Sequence, residues 1–289
     1  MAEKIIYTNS QGVSIELTND APFLLENVEG KGEIDADIQT QKAPFQDGVT
    51  YIDSLLSERS MELKVLVIDG NHDELLRKRQ YISGVFNPKL GEGWLVYING
   101  ETQKKIKCIV DGTVKILTGK ENKGLIYQRV LINLLCPSPF WEDIAQTEYM
   151  LRDFTGSLTF PFFTPISFAM RGDFSVFMNN GHVSTPIEVI FKGNALNPTL
   201  TNLTTGEFIK VNRLIPKGYK LILNTEFGNK KVEIEAPDGM KENAFHYIDL
   251  DSTFFSLPVG ETKIGFMADE ADEGETEVYV RYSKKYLTV

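Results

Sequence analysis

The sequence predicts two domains of different class: an α+β domain with a mostly antiparallel sheet and one main helix, followed by an all-β sandwich. Three observations predict it. Tyr127–Trp141, YQRVLINLLCPSPFW, alternates as a strand and then stops at prolines. Residues 71–86 carry an apolar stripe at helical spacing, with a start and a stop signal. From residue 171 onward, short alternating strands follow one another, separated by turn residues.

The strand carries the domain boundary. Val130, Ile132, Leu134 and Cys136 share a wholly apolar face, while Tyr127, Arg129, Leu131, Asn133 and Leu135 form a mixed one. Pro137 and Pro139 have no N–H to give a ladder, so pairing must end there. Phe140 and Trp141 then supply an aromatic latch at the close of a domain. The expected division is 1–141, a connecting segment 142–170, and 171–289.

Earlier elements read in order. A short N-terminal strand leads to residues 22–48, rich in turn formers such as Pro22, Gly30, Gly32, Pro44, Asp47 and Gly48, which read as an extended, loop-heavy excursion with short strands. Met61, Leu63, Val65 and Val67 mark a strand closed by Asp69-Gly70. Asn71 can cap the following helix, with Glu74 in capping-box relation and Leu75, Ile82, Val85 and Phe86 on its apolar side. Asn87-Pro88 ends it, because the residue before proline leaves helical geometry. Strands are expected at Trp94–Ile98, Lys105–Val110 and Thr113–Leu117. One helix on such a sheet is an α+β layer.

The connecting segment crowds Phe154, Phe160, Phe162, Phe163 and Phe168 with Pro161 and Pro165, which a solvated linker should not do. Two readings are open: packing along its own domains, which we prefer, or contact with a neighbouring subunit. Beyond it, Ile187, Val189 and Phe191 alternate, as do Tyr219, Leu221 and Leu223, then Val232 and Ile234, then Val278, Val280 and Tyr282. Turns at Gly193-Asn194, Gly228-Asn229 and Pro237-Asp238-Gly239 separate them, a spacing that suggests two sheets.

Composition narrows function more than it names it. A chain of 289 residues with 42% hydrophobic and 24% charged residues can build two ordinary cores. Its net charge of −10, from 30 basic and 40 acidic residues, excludes a dedicated nucleic-acid binder. No stretch is long and apolar enough to span a bilayer, and MAEKIIYTNSQGVSIEL lacks a signal-peptide core, so synthesis in the cytosol is expected. Cys108 and Cys136 both fall on apolar strand faces and read as small buried side chains.

Chemistry-bearing patterns are sparse. His72, His182 and His246 lack ligand spacing, and no HExxH, CxxC, phosphate loop or nucleophile elbow occurs. Asp269, Glu270, Asp272, Glu273, Glu275 and Glu277 do not follow a calcium-loop spacing and read as a solvated hairpin tip. Arg171-Gly172-Asp173 is too short a motif to count. No catalytic, cofactor or metal residue is therefore assigned, and no enzyme activity is expected.

A resemblance adds to this. QDGVTY at Gln46–Tyr51, SERSMELKVLV around Arg59, a helix ending FNPK, then GWLVY and the closing PSPFW occur in the order found in siphophage distal tail proteins. NPTLTNLTTGEFIKV, YKLILNT, SLPVGETKIGF and VYVRYSKKYL resemble the galectin-like C-terminal domain of the same family, so the likeness spans nearly the whole chain. It implies a virion structural protein, made in the bacterial host cytoplasm, that links the tail tube to the tail tip or baseplate. The family implies a homohexameric ring built by residues 1–141, a DNA-conducting channel, and outer domains that anchor other proteins. Its partners would be further copies of itself, a tail tube protein, a tail-tip protein and a receptor-binding protein, with no sequence-specific nucleic acid and no membrane.

A closed ring needs two different complementary surfaces on each copy. The loop-rich 22–48 region and the helix at 71–86 are the candidates. An acidic lumen would let DNA pass without sticking. The alternative is a carbohydrate-binding adhesion module acting through the sandwich, although both tryptophans, Trp94 and Trp141, lie in the first half. Hydrolysis of cell-wall polymer by a carboxylate pair is a third possibility, but no pair stands out.

Overall fold

The computed structural model describes residues 3–151, 173–271 and 276–289. The chain divides into two units, Met1–Ile144 with Tyr286–Val289, and Ala145–Lys285. The phenylalanine-rich part of the connecting segment and the middle of the acidic run lie outside the described residues.

The first unit comprises β1 (Lys4–Thr8), β2 (Ser14–Leu17), β3 (Phe23–Glu29), β4 (Ala36–Gln41), β5 (Thr50–Leu56), β6 (Arg59–Ile68), α1 (His72–Val85), β7 (Glu92–Asn99), β8 (Thr102–Val110), β9 (Lys115–Ile116), β10 (Tyr127–Cys136) and β11 (Trp141–Asp143). The main sheet runs β2-β1-β7-β8-β10-β6-β3, with antiparallel pairing throughout this path. β10 is central and pairs along its full length with β6, from Tyr127↔Ile68 to Cys136↔Arg59. Its apolar face is sealed: Val130, Ile132, Leu134 and Cys136 are all buried. Burying each such aliphatic side chain contributes about 1.5–3 kcal/mol.

The sheet is more than a flat layer under a helix. Thr18, just past β2, bridges Leu24 of β3, donating from its N–H to Phe23 and accepting from Leu25. The two edges of the path therefore meet. Closure hides edges that would otherwise seek partners. Helix α1 supplies Leu75, Ile82 and Val85 to the enclosed core, and Phe86 stacks on Tyr7 at 4.4 Å. Asn71 does cap it, accepting from the Asp73 N–H, but Glu74 pairs with Arg77 instead of closing a capping box. The expected strand at 113–117 shrinks to Lys115–Ile116.

The second unit holds β12 (Thr147–Leu151), β13 (Asp173–Asn179), β14 (Glu188–Lys192), β15 (Ala195–Leu196), β16 (Thr199–Asn202), β17 (Phe208–Lys210), β18 (Leu214–Ile215), β19 (Lys220–Asn224), β20 (Lys231–Glu235), β21 (Lys241–Asn243), β22 (Gly260–Met267), β23 (Glu270–Ala271) and β24 (Glu277–Tyr282). The last strand, β25 (Lys285–Tyr286), ends the chain's regular structure. A six-stranded sheet, β12-β24-β14-β19-β20-β21, and a four-stranded one, β13-β22-β16-β17, feed one core. Phe191 of the first stacks on Phe266 of the second at 5.0 Å. Period-2 burial holds in β14, β19 and β24, as the alternating residues required.

The final four residues group with the first unit, where the sequence had placed them with the second. They are held there by β25 pairing with β11, by Tyr286 and Val289 packed on the first core, and by one buried side chain. Arg59 is fully buried at the start of β6, and its Nη2 donates to the Leu287 carbonyl. Likewise β11 carries the first unit past Trp141, since Glu142 and Asp143 pair with Lys105 and Lys104 of β8.

Candidate assembly surfaces

Between β3 and β6, where the sequence reads as a loop-heavy excursion with short strands, the chain forms a two-stranded hairpin, β4 with β5. Every residue of both strands is exposed. Residues opposite one another in an antiparallel pair share a face. Ala36 faces Leu56, Ile38 faces Ser54 and Thr40 faces Tyr51, with Ile52 the extra residue of a bulge. That side is apolar, yet Ile38 is 61% exposed, Tyr51 61% and Ile52 56%. The other side carries Asp37, Gln39, Gln41, Thr50 and Asp53, interrupted by Leu55. An amphipathic ribbon with a bare apolar side is unusual for a single chain.

The hairpin is rooted firmly. Gly30 sits at φ +81°, and a Cβ there would lie 2.1 Å from the Ser60 carbonyl oxygen, so only glycine allows this approach. Arg59 Nη1 donates to the Gly30 carbonyl at 2.7 Å, and its Nε donates to Pro139 at 2.9 Å. Its guanidinium lies 5.9 Å from the Trp141 ring centre, and Trp141 Nε1 donates to the Lys31 carbonyl at 3.0 Å. Burial pulls the Arg59 pKa below its usual value, opposed by the nearby Glu33 carboxylate. Backbone N–H groups of Glu33 and Gly32 hold the Glu33 carboxyl below its ordinary range. At the tip, Gln46 Oε1 accepts from the Ala43 N–H and Phe45 is fully exposed.

The hairpin and its flanks are also acidic. Residues 33–58 hold Glu33, Asp35, Asp37, Asp47, Asp53 and Glu58 against Lys42, a net −5 out of −10 for the whole chain.

A second surface forms around the start of α1. His72 Nδ1 is 3.1 Å from the Leu125 carbonyl oxygen, which ties the 118–126 loop to the helix. Leu76, Leu125 and Ile126 are exposed there, Leu125 to 79%. The loop is pinned from below by buried Gln128, whose Nε2 donates to the carbonyls of Leu117, Asn122 and Arg129. The Lys78 ammonium and the Asn71 N–H keep the Asp69 carboxyl below its usual range.

Of the two predicted surfaces, the helix is half of this second one, and residues 22–48 include β4 but miss β5. The three histidines stay apart: His72 at the helix start, His182 with its N–H on the Lys285 carbonyl, and His246 against the Tyr247 ring. Among the described residues, no group of three His, Cys, Asp or Glu side chains converges. Cys108 and Cys136 are buried and free, and hydrogen bonding between them together with burial raises the Cys108 thiol well above its usual value. No helix among the described residues is long and apolar enough to cross a membrane.

Comparison with known proteins agrees with this architecture. Residues 10–136 match the phage tail protein RIFT-related domain, and residues 180–286 match the siphovirus-type tail component C-terminal domain. No curated protein sequence matches the chain. Among solved structures, the Dit protein of phage SPP1, described as a hub of adsorption apparatus in phages infecting Gram-positive hosts, superposes with TM-score 0.68 at 12% identity, covering 97% of this chain and 98% of that one. A chain of the phage P2 baseplate in its activated conformation with calcium gives TM-score 0.58 at 9% identity, with full coverage of both. The strontium form of that baseplate gives 0.59 at 9%. With a tail-component model matching each unit and a whole-chain likeness to a Dit protein, the chain belongs to the siphophage distal tail protein family.

Proposed function

We propose that this protein is the hub of a phage tail tip: a closed ring of identical copies, homohexameric as in the family expectation, between the tail tube and the tip or baseplate proteins. The first unit builds the ring and the second presents its surface to tail-tip and receptor-binding proteins. The observation that carries this is the rooted hairpin 36–56, whose apolar side has no cover among the described residues. A repeated heterologous contact is the economical way to bury such a side in every copy at once.

The acid of the same hairpin supports a conduit role. If residues 33–58 lie at the ring's inner rim, each copy brings a net −5 to the lumen, which repels phosphate and lets DNA slide. Electron microscopy of the purified protein tests the reading: rings with a central opening are expected, and lone particles at all concentrations would contradict it.

A second reading, carbohydrate adhesion through the second unit, draws on one feature. Phe245 stacks on Phe254 at 5.5 Å, with Phe245 43% exposed, offering a partial aromatic face. Glycan-array binding lost in Phe245→Ala would establish it, and no binding removes it.

A further inference from the structure

We infer that the acidic hairpin of one copy seats on the helix-and-loop knob of the next, with Ile38, Tyr51 and Ile52 covering His72, Leu76, Leu125 and Ile126. This rests on the hub reading and specifies its interface. Three observations carry it.

The first is position. The hairpin leaves from the Arg59 end of β6, whereas α1 and the 118–126 loop sit at the Ile68 end, where Tyr127 pairs. Ten strand residues separate them, about 30 Å at 3.3 Å per residue. The two surfaces of one copy thus lie at opposite ends of its central pair of strands, which is the arrangement that a head-to-tail contact requires.

The second is apolar match. Both surfaces expose large apolar side chains on rigid supports: a paired hairpin on one, a helix start tied to a pinned loop on the other. Rigid partners lose little conformational entropy on docking.

The third is charge. Residues 33–58, the hairpin with its flanks, carry net −5, while residues 69–80 and 118–126 carry Arg77, Lys78, Arg79, Lys120 and Lys123 against Asp69, Asp73, Glu74 and Glu121, a net +1. This difference in sign steers approach and disfavours hairpin-on-hairpin pairing, while Asp37 and Asp53, on the side away from Ile38, stay in water.

The test uses two full-length variants, Ile52→Cys and Leu125→Cys, mixed under mild oxidant, with native Cys108 and Cys136 both buried. A disulfide-linked dimer containing one of each variant is expected, with none from either variant alone. Ile38→Ser with Tyr51→Ser on the Ile52→Cys chain should abolish that band, whereas Asp37→Asn with Asp53→Asn, on the far side of the hairpin, should leave it in place. Wild-type rings with no mixed dimer would overturn this interface and leave the hub reading standing. A dimer of the Ile52→Cys chain with itself would overturn it in favour of paired hairpins. A mixed dimer within open filaments would uphold the contact and overturn ring closure. Neither rings nor a mixed dimer would overturn both.

Discussion

Arg59 donates to the carbonyl oxygen of Leu287, a residue 228 positions further along the chain. Together with Gly30 and Pro139, this makes one buried guanidinium the common anchor of the hairpin root, the proline stop and the C-terminal residues of the first unit. Its fork of donors matches three carbonyls at once, which a lysine cannot do. Arg59→Met should therefore lower the stability of the first unit by about 3 kcal/mol or more, since each stranded buried carbonyl costs about 1–3 kcal/mol. Arg59→Lys should recover little of that loss. Removing residues 287–289 should produce part of the same loss besides that of the Val289 packing, and should cost less in the Arg59→Met background than in the wild type. Urea unfolding of the four proteins checks this, and additive losses would show that the carbonyl is not the link.

Gly30→Ala tests the hairpin root separately. The new methyl would meet the Ser60 carbonyl at 2.1 Å and sit in a left-handed conformation, so the backbone must move. A loss of more than about 1 kcal/mol is expected, with assembly weakened as well. Unchanged unfolding would mean the root is looser than its geometry implies.

Tyr7 and Tyr282 give each unit a signature in alkali. Burial pushes both phenols up from 10.0 to about 12, helped by Cys108 beside Tyr7 and by Tyr149 beside Tyr282. A raised pKa means the unfolded chain releases its proton first. Their contribution is fully present below pH 10 and is lost as pH rises through about 12. Unfolding midpoints measured between those values should fall steeply in the wild type and more gently in Tyr7→Phe and Tyr282→Phe. Tyr282→Phe should also be less stable at neutral pH, because Met178 loses its donor. Equal slopes in all three proteins would contradict the assignment.

Much of this was legible in the sequence, for reasons that differ by element. β10 announced itself because period-2 burial and two prolines act locally, and α1 because Asn71 and Asn87-Pro88 mark its ends. The hairpin was legible only in part: short strands were expected within 22–48, which holds β4, but β5 and the pairing of the two were not. Its turn formers look like loop, and ADIQTQ lacks the β-branched run that marks a buried strand. Nor can one sequence show that Ile38 and Ile52 stay uncovered, since exposure depends on what else the chain packs there. Nothing in the sequence around Arg59 marks it as buried. Its burial is set by carbonyls 80 and 228 positions away, which no local pattern encodes. The meeting of Thr18 with Leu24 escaped for the same reason: edge closure follows from the curl of the whole sheet.

Hairpin substitutions should separate folding from assembly. Ile38→Ser with Ile52→Ser changes side chains that touch little in one chain, so its unfolding free energy should stay within about 0.5 kcal/mol of wild type. Dilute denaturant titration, at concentrations where single chains dominate, measures this. A large loss would mean the hairpin belongs to the chain's own core.

The central claim is that this exposed hairpin exists to join copies. Light scattering behind a sizing column, run on the wild type and on the Ile38→Ser/Ile52→Ser protein, tests it most directly. The wild type should elute as a fixed multiple of the 32.6 kDa chain, sixfold if the family ring is kept, and the variant as a single chain of native fold. Identical masses for the two proteins would contradict the account.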